Sequence, residues 1–382
     1  MKRGVAGLNE TLVGQPGSRA QLETPALLLD VERFETSLDR LAQLARLSGM
    51  GLRPHAKSHK CAAIAERQMA AGALGIACAK PGELLALFEA GLTKLMLTAP
   101  VSSRRKIDRL TAAAARGLEL IVVVDRLDLV TAFGASARAA GTHVAVLVDC
   151  DTGLGRTGVT TADEAVELAR AISADAGLVY AGVQAYAGKV QHVFDHAERR
   201  AANDLANARL TPVLAGLRAT GLAPAIISGG GTGSHLLDFE DGILTEVQAG
   251  SYVLMDEGYR PVDFHGTGEP VFDFAMLVVV SVIGHSANGE AITDGGSKSF
   301  AVDGPPPRVY RDGVEIGTIA WAGDEFGRVK TYDGIAPPPA DARLECTVPH
   351  CDPTANLHDF IHVVRGERLE AIWPIEARGL SD

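Results

Sequence analysis

Aromatic residues make up only 5% of this 382-residue chain, and no apolar stretch reaches the ~18 residues that a membrane-spanning helix requires. A membrane-embedded protein is therefore not expected. Cysteine is scarce and badly arranged for bridging. The five occur at positions 61, 78, 150, 346 and 351, an odd number without a CxxC pair, so a disulfide framework is not expected. No run of lysine or arginine occurs and the formal net charge is −11, which argues against nucleic acid or an anionic membrane surface as partner. The opening residues MKRGVAGLNETLVGQPGSRAQLE lack the apolar core of a secretory signal, so a cytoplasmic location is expected. What remains, 47% hydrophobic and 22% charged residues, suits an ordinary globular protein with a large core.

From residue 26 to 252 short apolar runs alternate with amphipathic segments. The runs are ALLLD (26–30), GLRPHAK (51–57), GIACAK (75–80), KLMLTAP (94–100), LELIVVVD (118–125), HVAVLVDCD (143–151), LVYAGVQAY (178–186), AIISGGG (225–231) and TEVQAGSY (245–252). Between them, stretches such as ADEAVELARAIS carry apolar residues at helical spacing, and Gly72, Gly91 and Gly221 stand where helices should end. Strands apolar on both faces and alternating with helices imply a parallel sheet covered by helices. Eight runs after the opening strand suit a TIM-type (β/α)8 barrel, and an open doubly wound sheet could also accept them. Beyond residue 264 the periodicity turns β-like and is broken by Gly and by Pro tracts at 305–307 and 337–339, the texture of a smaller, mostly β domain. The expected division is a partly flexible N-terminal segment (1–23), the barrel (24–263) and the β domain (264–382).

Three constellations carry chemistry. Arg53-Pro54-His55-Ala56-Lys57-Ser58-His59-Lys60 ends one barrel strand in basic and titratable groups. Lys57 there should be partly desolvated and close to other cations, which lowers its pKa and leaves an amine able to form a Schiff base. Taken alone, Lys57 and Lys60 read as solvated residues at a helix start, as most lysines are.

The second is Ser228-Gly229-Gly230-Gly231-Thr232-Gly233-Ser234, directly after a strand. Consecutive glycines let backbone N–H groups and hydroxyls approach an anion. It is neither a Walker loop nor a Rossmann fingerprint, and a phosphate site between the last two strands is common in barrels. Gln248-Ala249-Gly250-Ser251-Tyr252 ends the next strand and adds further donors. The alternative is a flexible glycine turn.

The third is Pro349-His350-Cys351-Asp352-Pro353-Thr354. In an extended segment residues i and i+2 share a face, so His350 and Asp352 could hold one divalent metal while Cys351 points away. The alternative is a His–Asp hydrogen bond that holds a turn.

Taken together, Arg53-Pro54-His55-x-Lys57-x-His59-Lys60, Gly229 to Ser234, Gln248 to Tyr252 and His350-x-Asp352-Pro353-Thr354-x-Asn356-Leu357-His358-Asp359 resemble the D-threonine aldolases, within the alanine-racemase-like, fold-type III pyridoxal-phosphate enzymes. The resemblance runs from about Thr24 to Gly379 in one order. It implies Lys57 as the Schiff-base lysine. Ser228, Gly230, Gly231, Thr232, Gly250, Ser251 and Tyr252 would bind the phosphate, with Arg156 and Tyr186 beside the ring. His59 and His192 are implied as bases, and His350 and Asp352 as ligands of Mn²⁺, Mg²⁺ or Co²⁺, with Zn²⁺ allowed. It further implies a small D-β-hydroxy-α-amino acid as substrate, retro-aldol cleavage to glycine and an aldehyde, and a homodimer. Related dehydratases carry His-x-Cys, so the carboxylate of Asp352 favours the aldolase branch. A D-serine or 3-hydroxy-D-aspartate dehydratase, a 3-hydroxy-D-aspartate aldolase, an amino-acid racemase and a pyridoxal-phosphate homeostasis protein stand as alternatives. The chain departs from the family pattern at Ala79, at Ala99-Pro100 and at Phe326.

Overall fold

The computed structural model describes residues 4–382. Its first strand, β1 (Ala26–Asp30), is buried at every position. It is followed by the strands β2 (Gly51–Leu52), β3 (Ile76–Cys78), β4 (Lys94–Leu97), β5 (Glu119–Val124), β6 (Val144–Asp149), β7 (Leu178–Ala185), β8 (Ile226–Gly229) and β9 (Glu246–Val247). These eight form one parallel sheet in the order β2-β9-β8-β7-β6-β5-β4-β3. The sheet curls until β3 returns beside β2: Leu74 and Ala77 N–H donate to the carbonyls of Leu52 and Pro54, both at 2.8 Å. The expected eight-stranded barrel is therefore present. Helices follow the strands because the intervening segments bury one apolar stripe each, as in Ala162–Ala174, whose Ala165, Val166, Leu168, Ala169 and Ile172 face inward. Gly72, Gly91 and Gly221 stand just past helix ends at φ of 103°, 108° and 78°, in the left-handed region that glycine enters at no cost.

The β domain contains β10 (Met276–His285), β11 (Ala291–Thr293), β12 (Arg308–Arg311), β13 (Val314–Trp321), β14 (Gly327–Thr331), β15 (Arg343–Thr347), β16 (Phe360–Arg365) and β17 (Arg368–Pro374). Their order is β11-β14-β13-β12-β15-β10-β1-β16-β17, and β11 also pairs with β10, so six strands close on themselves. The chain's first strand thus belongs here and not to the barrel. It lies antiparallel to β10 (Ala26↔Val279) and parallel to β16 (Leu28↔His362). The expected boundary at residue 24 moves for this reason. A run buried on both faces fits the middle of either sheet, and local pattern does not select between them.

Residues 4–23, expected to be partly flexible, pack on the same domain. Asn9 exchanges hydrogen bonds with the Glu23 backbone (3.1 and 2.8 Å), and Arg19 forks onto Glu345 (2.6 and 2.9 Å). The β domain is thereby tied to both ends of the barrel chain, which fixes it over the barrel mouth.

Candidate active site

The C-terminal ends of the barrel strands surround a cavity of about 260 Å³. Lys57 enters it from the helical turn Ala56–Ser58 that follows β2. His55 caps that turn: its Nδ1 accepts the Lys57 N–H at 3.4 Å and its Nε2 meets Thr98 Oγ1 at 3.1 Å. Burial, with the nearby Lys57 charge added, drives His55 down to about 3, so its ring is neutral.

Lys57 Nζ donates to Asp352 Oδ1, from the β domain, at 2.5 Å. Burial by itself would lower the Lys57 pKa, but the Asp352 carboxylate outweighs it and the net displacement is upward. The expectation of a neutral amine among cations is thereby corrected. The cations were legible locally; the carboxylate stands 295 residues away. Asp352 itself is held down to about 2, because the charges of Lys57 and His350 overcome the effect of its burial.

Gly231, Thr232, Gly250 and Ser251 also line the cavity, with Gly250 against the His55–Ser58 turn. The Thr232 hydroxyl oxygen is buried and has no hydrogen-bond partner among the described residues. A buried hydroxyl without a partner costs free energy unless a ligand completes it. That orphan, the glycines beside it, and the cations Lys57, Lys80 and Arg156 on the same cavity together fit a phosphate-bearing aldehyde such as pyridoxal phosphate. Three residues expected at the phosphate do not line the cavity. Ser228 donates to Glu246 Oε1 (2.6 Å) and accepts from Gln248 Nε2 (2.8 Å) inside the barrel. Gly230 turns the loop at φ 65°. Tyr252 is fully buried, its hydroxyl bonded to Gln68 at 3.4 Å. All three lie in polar, glycine-rich runs whose residues alternate between cavity and interior, which composition does not resolve.

Arg156 and Tyr186 both line the cavity, with the guanidinium carbon 5.7 Å from the Tyr186 ring centroid. Ala79 and Ala99, where the chain departs from the family pattern, also line it, so these departures touch the space a substrate would occupy.

The two histidines expected as bases separate. His192 is exposed and does not itself line the cavity, but its ring packs on that of Tyr259, which does, at 4.3 Å between centroids. Partial burial lowers its pKa, and the charges of Asp256, His350, Lys57 and Asp352 all act on it, so it is within electrostatic reach of the Lys57–Asp352 pair. His59 is fully buried and does not line the cavity. Its Nδ1 accepts the Cys61 N–H at 3.1 Å, and burial drives it to about 4. The role of base expected for His59 is withdrawn: the turn after Lys57 sends the next histidine into the core.

His350 and Asp352 do not share a strand face. His350 precedes the helical turn Cys351–Ala355, in which Asp352 is the second residue. The helical start still brings His350 Nε2 to 3.7 Å from Asp352 Oδ2, while His350 Nδ1 is engaged by Asp303 Oδ2 at 2.9 Å. Cys351 is buried, but it does not turn away from the pair: its thiol donates to Asp352 Oδ2 at 3.3 Å. Among the described residues no group of three or more His, Cys, Asp or Glu could hold a metal, so the protein offers a pair of donors. One imidazole nitrogen left free and one carboxylate oxygen suit a divalent cation whose remaining positions are filled by water or substrate.

Sequence reasoning missed two buried carboxylates. Asp256 accepts the N–H groups of Cys351 (2.9 Å) and Tyr259 (3.1 Å), which joins the donor-pair segment to the wall carrying His192. Nothing in Met255-Asp256-Glu257 announces this. Glu83 is 1% exposed, and burial raises it to about 7 against the Ala79 N–H bond and the charge of Lys60. Its folded value lies above its unfolded one, so the stability it contributes is complete in acid and is lost as pH rises through about 7. Glu83→Gln should therefore shrink the fall in melting temperature between about pH 5 and pH 8. Asp238, also raised to about 7 by burial, would leave a residual slope. A variant with the wild-type slope would show that Glu83 contributes none of it.

Comparison with known proteins agrees with this arrangement. A family model described as alanine racemase, N-terminal domain matches residues 29–258, and one described as putative serine dehydratase domain matches residues 275–364. The chain is 38% identical over 371 residues to a D-threonine aldolase of Arthrobacter sp, covering 96% of each chain. It is 35% identical over 370 residues to a 3-hydroxy-D-aspartate aldolase of Paracoccus denitrificans (strain Pd 1222), covering 95% of this chain and 94% of that one. The crystal structure of D-threonine aldolase from Filomicrobium marinum superposes with a TM-score of 0.90 at 37% identity, over 95% of this chain and 98% of that one.

Proposed function

The chain belongs to the alanine-racemase-like family that includes the D-threonine and 3-hydroxy-D-aspartate aldolases, carbon–carbon lyases, and from that membership we propose that it cleaves D-threonine and related D-β-hydroxy-α-amino acids to glycine and an aldehyde, using pyridoxal phosphate and a divalent cation. The observation that carries this reading is the contact of Lys57 with Asp352. It supports an amine beside a two-donor cation site, at the edge of the cavity that the anion cradle lines.

Lys57 is the residue that would hold the cofactor covalently, and Thr232 with Gly231, Gly250 and Ser251 would receive its phosphate. Arg156 and Tyr186 would flank its ring. Bound pyridoxal phosphate supplies an electron sink for the pair released when the Cα–Cβ bond breaks. His350 Nε2 and Asp352 would hold the cation, whose charge makes a bound hydroxyl easier to deprotonate. A hard carboxylate beside an imidazole supports Mn²⁺, Mg²⁺ or Co²⁺, with Zn²⁺ also accommodated.

His192 accepts the proton of the substrate β-hydroxyl. Its lowered pKa keeps it neutral near neutral pH, so a ring nitrogen is free to take that proton. The oxygen lone pair then forms the aldehyde double bond as Cα–Cβ breaks, and the Cα electron pair takes up a proton to give glycine. Atoms balance between one threonine, one glycine and one acetaldehyde. The neutral His55, bonded to Thr98, fixes the turn that aims Lys57.

Asp303 orients His350 through Nδ1 and so leaves Nε2 for the cation. Asp303→Ala should weaken Mn²⁺ binding by roughly 10- to 100-fold, read by titration in the absence of substrate. An unchanged affinity would remove Asp303 from the site. The resemblance drawn from the sequence also supports a homodimer, checked by sedimentation. Among the described residues no helix is long and apolar enough to cross a membrane.

The test of function is product analysis with D-threonine, pyridoxal phosphate and Mn²⁺ beside an EDTA-treated control. Glycine plus acetaldehyde, lost with EDTA, supports the proposal. Ammonia plus 2-oxobutanoate moves the protein to the dehydratase branch.

A further inference from the structure

The glycine-rich loop does not hold its own shape. Gln191, which approaches it from the segment after β7, is 1% exposed and bonds it twice. Its Oε1 accepts the Gly233 N–H at 2.9 Å and its Nε2 donates to Ser234 Oγ at 2.9 Å. Ser234 Oγ in turn accepts the Gly231 N–H at 3.1 Å and donates to Asp238 Oδ2 at 2.7 Å. Each hydrogen of the Ser234–Gln191 pair is thus spoken for in one sense only, and the loop conformation follows from that directionality. There is no slack in the fit. A methyl group on Gly231 would lie 2.4 Å from Gln191 Oε1, and one on Gly233 would lie 2.0 Å from the Gln191 carbonyl oxygen.

The consequence falls on the residue between the two glycines. With the N–H groups of Gly231 and Gly233 drawn back into this network, Thr232 is the position whose hydroxyl is left without a partner at the cavity wall. The next residue after Gln191 is His192, whose ring stacks on Tyr259. One buried amide therefore stands between the anion cradle and the histidine that takes the substrate proton.

We infer that Gln191 is a positioning residue that shapes the phosphate cradle around Thr232 and, through the chain, holds His192 against Tyr259 at the cavity edge. The inference rests on the reading of the cavity as a pyridoxal-phosphate site, and it says more: affinity for the phosphate end is set by a side chain that does not bind phosphate through its own bonds. Pyridoxal, which has the same aldehyde and ring but no phosphate, separates this role from general support of the fold.

The experiment titrates wild type, Lys57→Ala, Gln191→Ala and Ser234→Ala with pyridoxal phosphate and with pyridoxal, following the Lys57-dependent absorbance. Loss of the two Gln191 bonds should weaken pyridoxal phosphate by roughly 10- to 100-fold and leave pyridoxal within about twofold. At saturating cofactor, kcat should fall about tenfold as His192 loses its anchor, with KM for D-threonine changing less. Ser234→Ala breaks the Gln191 Nε2 bond while leaving Gln191 in place on Gly233, and it should shift the same ratio; it keeps the test decisive if Gln191→Ala does not fold. Equal weakening of both aldehydes, or no weakening of either, overturns the role of Gln191. A wild-type protein without Lys57-dependent absorbance overturns the cofactor reading itself.

Discussion

Lys57→Ala should yield a folded protein that no longer captures pyridoxal phosphate covalently and has lost more than ~10³-fold of its lyase activity. The amine is the nucleophile at the cavity, and none of the other groups that surround it can replace it in place. Lys80 lines the same cavity but on the next strand end, and Lys60 is turned onto Asn356 at 2.9 Å. The fold should survive, because the Lys57 side chain is 42% exposed and its pair with Asp352 is not a sealed one. Lys57→Arg is the informative companion. It keeps a cation against Asp352 and removes the chemistry, so the two variants should be equally inactive while Lys57→Arg melts closer to wild type. Retention of Lys57-type absorbance by either variant would assign the cofactor to a different lysine.

His350→Ala has the second large effect, of a different kind. The cation pair comprises one imidazole and one carboxylate, and Asp352 is already shared with Lys57 at 2.5 Å. With His350 removed, a single donor side chain remains, and one of its two carboxylate oxygens, Oδ1, is already committed to the Lys57 ammonium group. Mn²⁺ affinity should fall by more than ~100-fold and cleavage of D-threonine by ~10³-fold or more, while pyridoxal phosphate stays bound. The split between retained cofactor and lost activity separates this variant from Lys57→Ala. Full activity in a metal-stripped His350→Ala protein would sink the role of the cation.

Several features were legible in the chain before any coordinates. Eight apolar runs spaced by helical segments led to the barrel, and the polar residues clustered at the ends of those runs led to its mouth. Lys57, Gly231, Thr232, Gly250, Ser251, Arg156 and Tyr186 all line the cavity. The mistakes share a pattern. His59 and Ser228 lie in the right segment but face the interior, His59 because the turn Ala56–Ser58 rotates it inward and Ser228 because it points into the barrel from within β8. His350 and Asp352 were paired by an argument from strand alternation, and they meet at 3.7 Å through a helical start instead.

By itself, then, the sequence determined the class of barrel, the texture of the second domain, and the short segments that carry lysine, glycine loop and histidine. These follow from periodicity and local chemistry, both of which act over a few residues. The tertiary structure alone decided that β1 completes the far domain, that Asp352 reverses the expected displacement of the Lys57 pKa, and that Asp256 and Gln191 brace the site. Each of these depends on a partner distant in the chain, and a hydrogen bond or a charge acts through space at a few ångströms whatever the number of residues between. Local sequence sets which groups are available; only packing sets which of them meet.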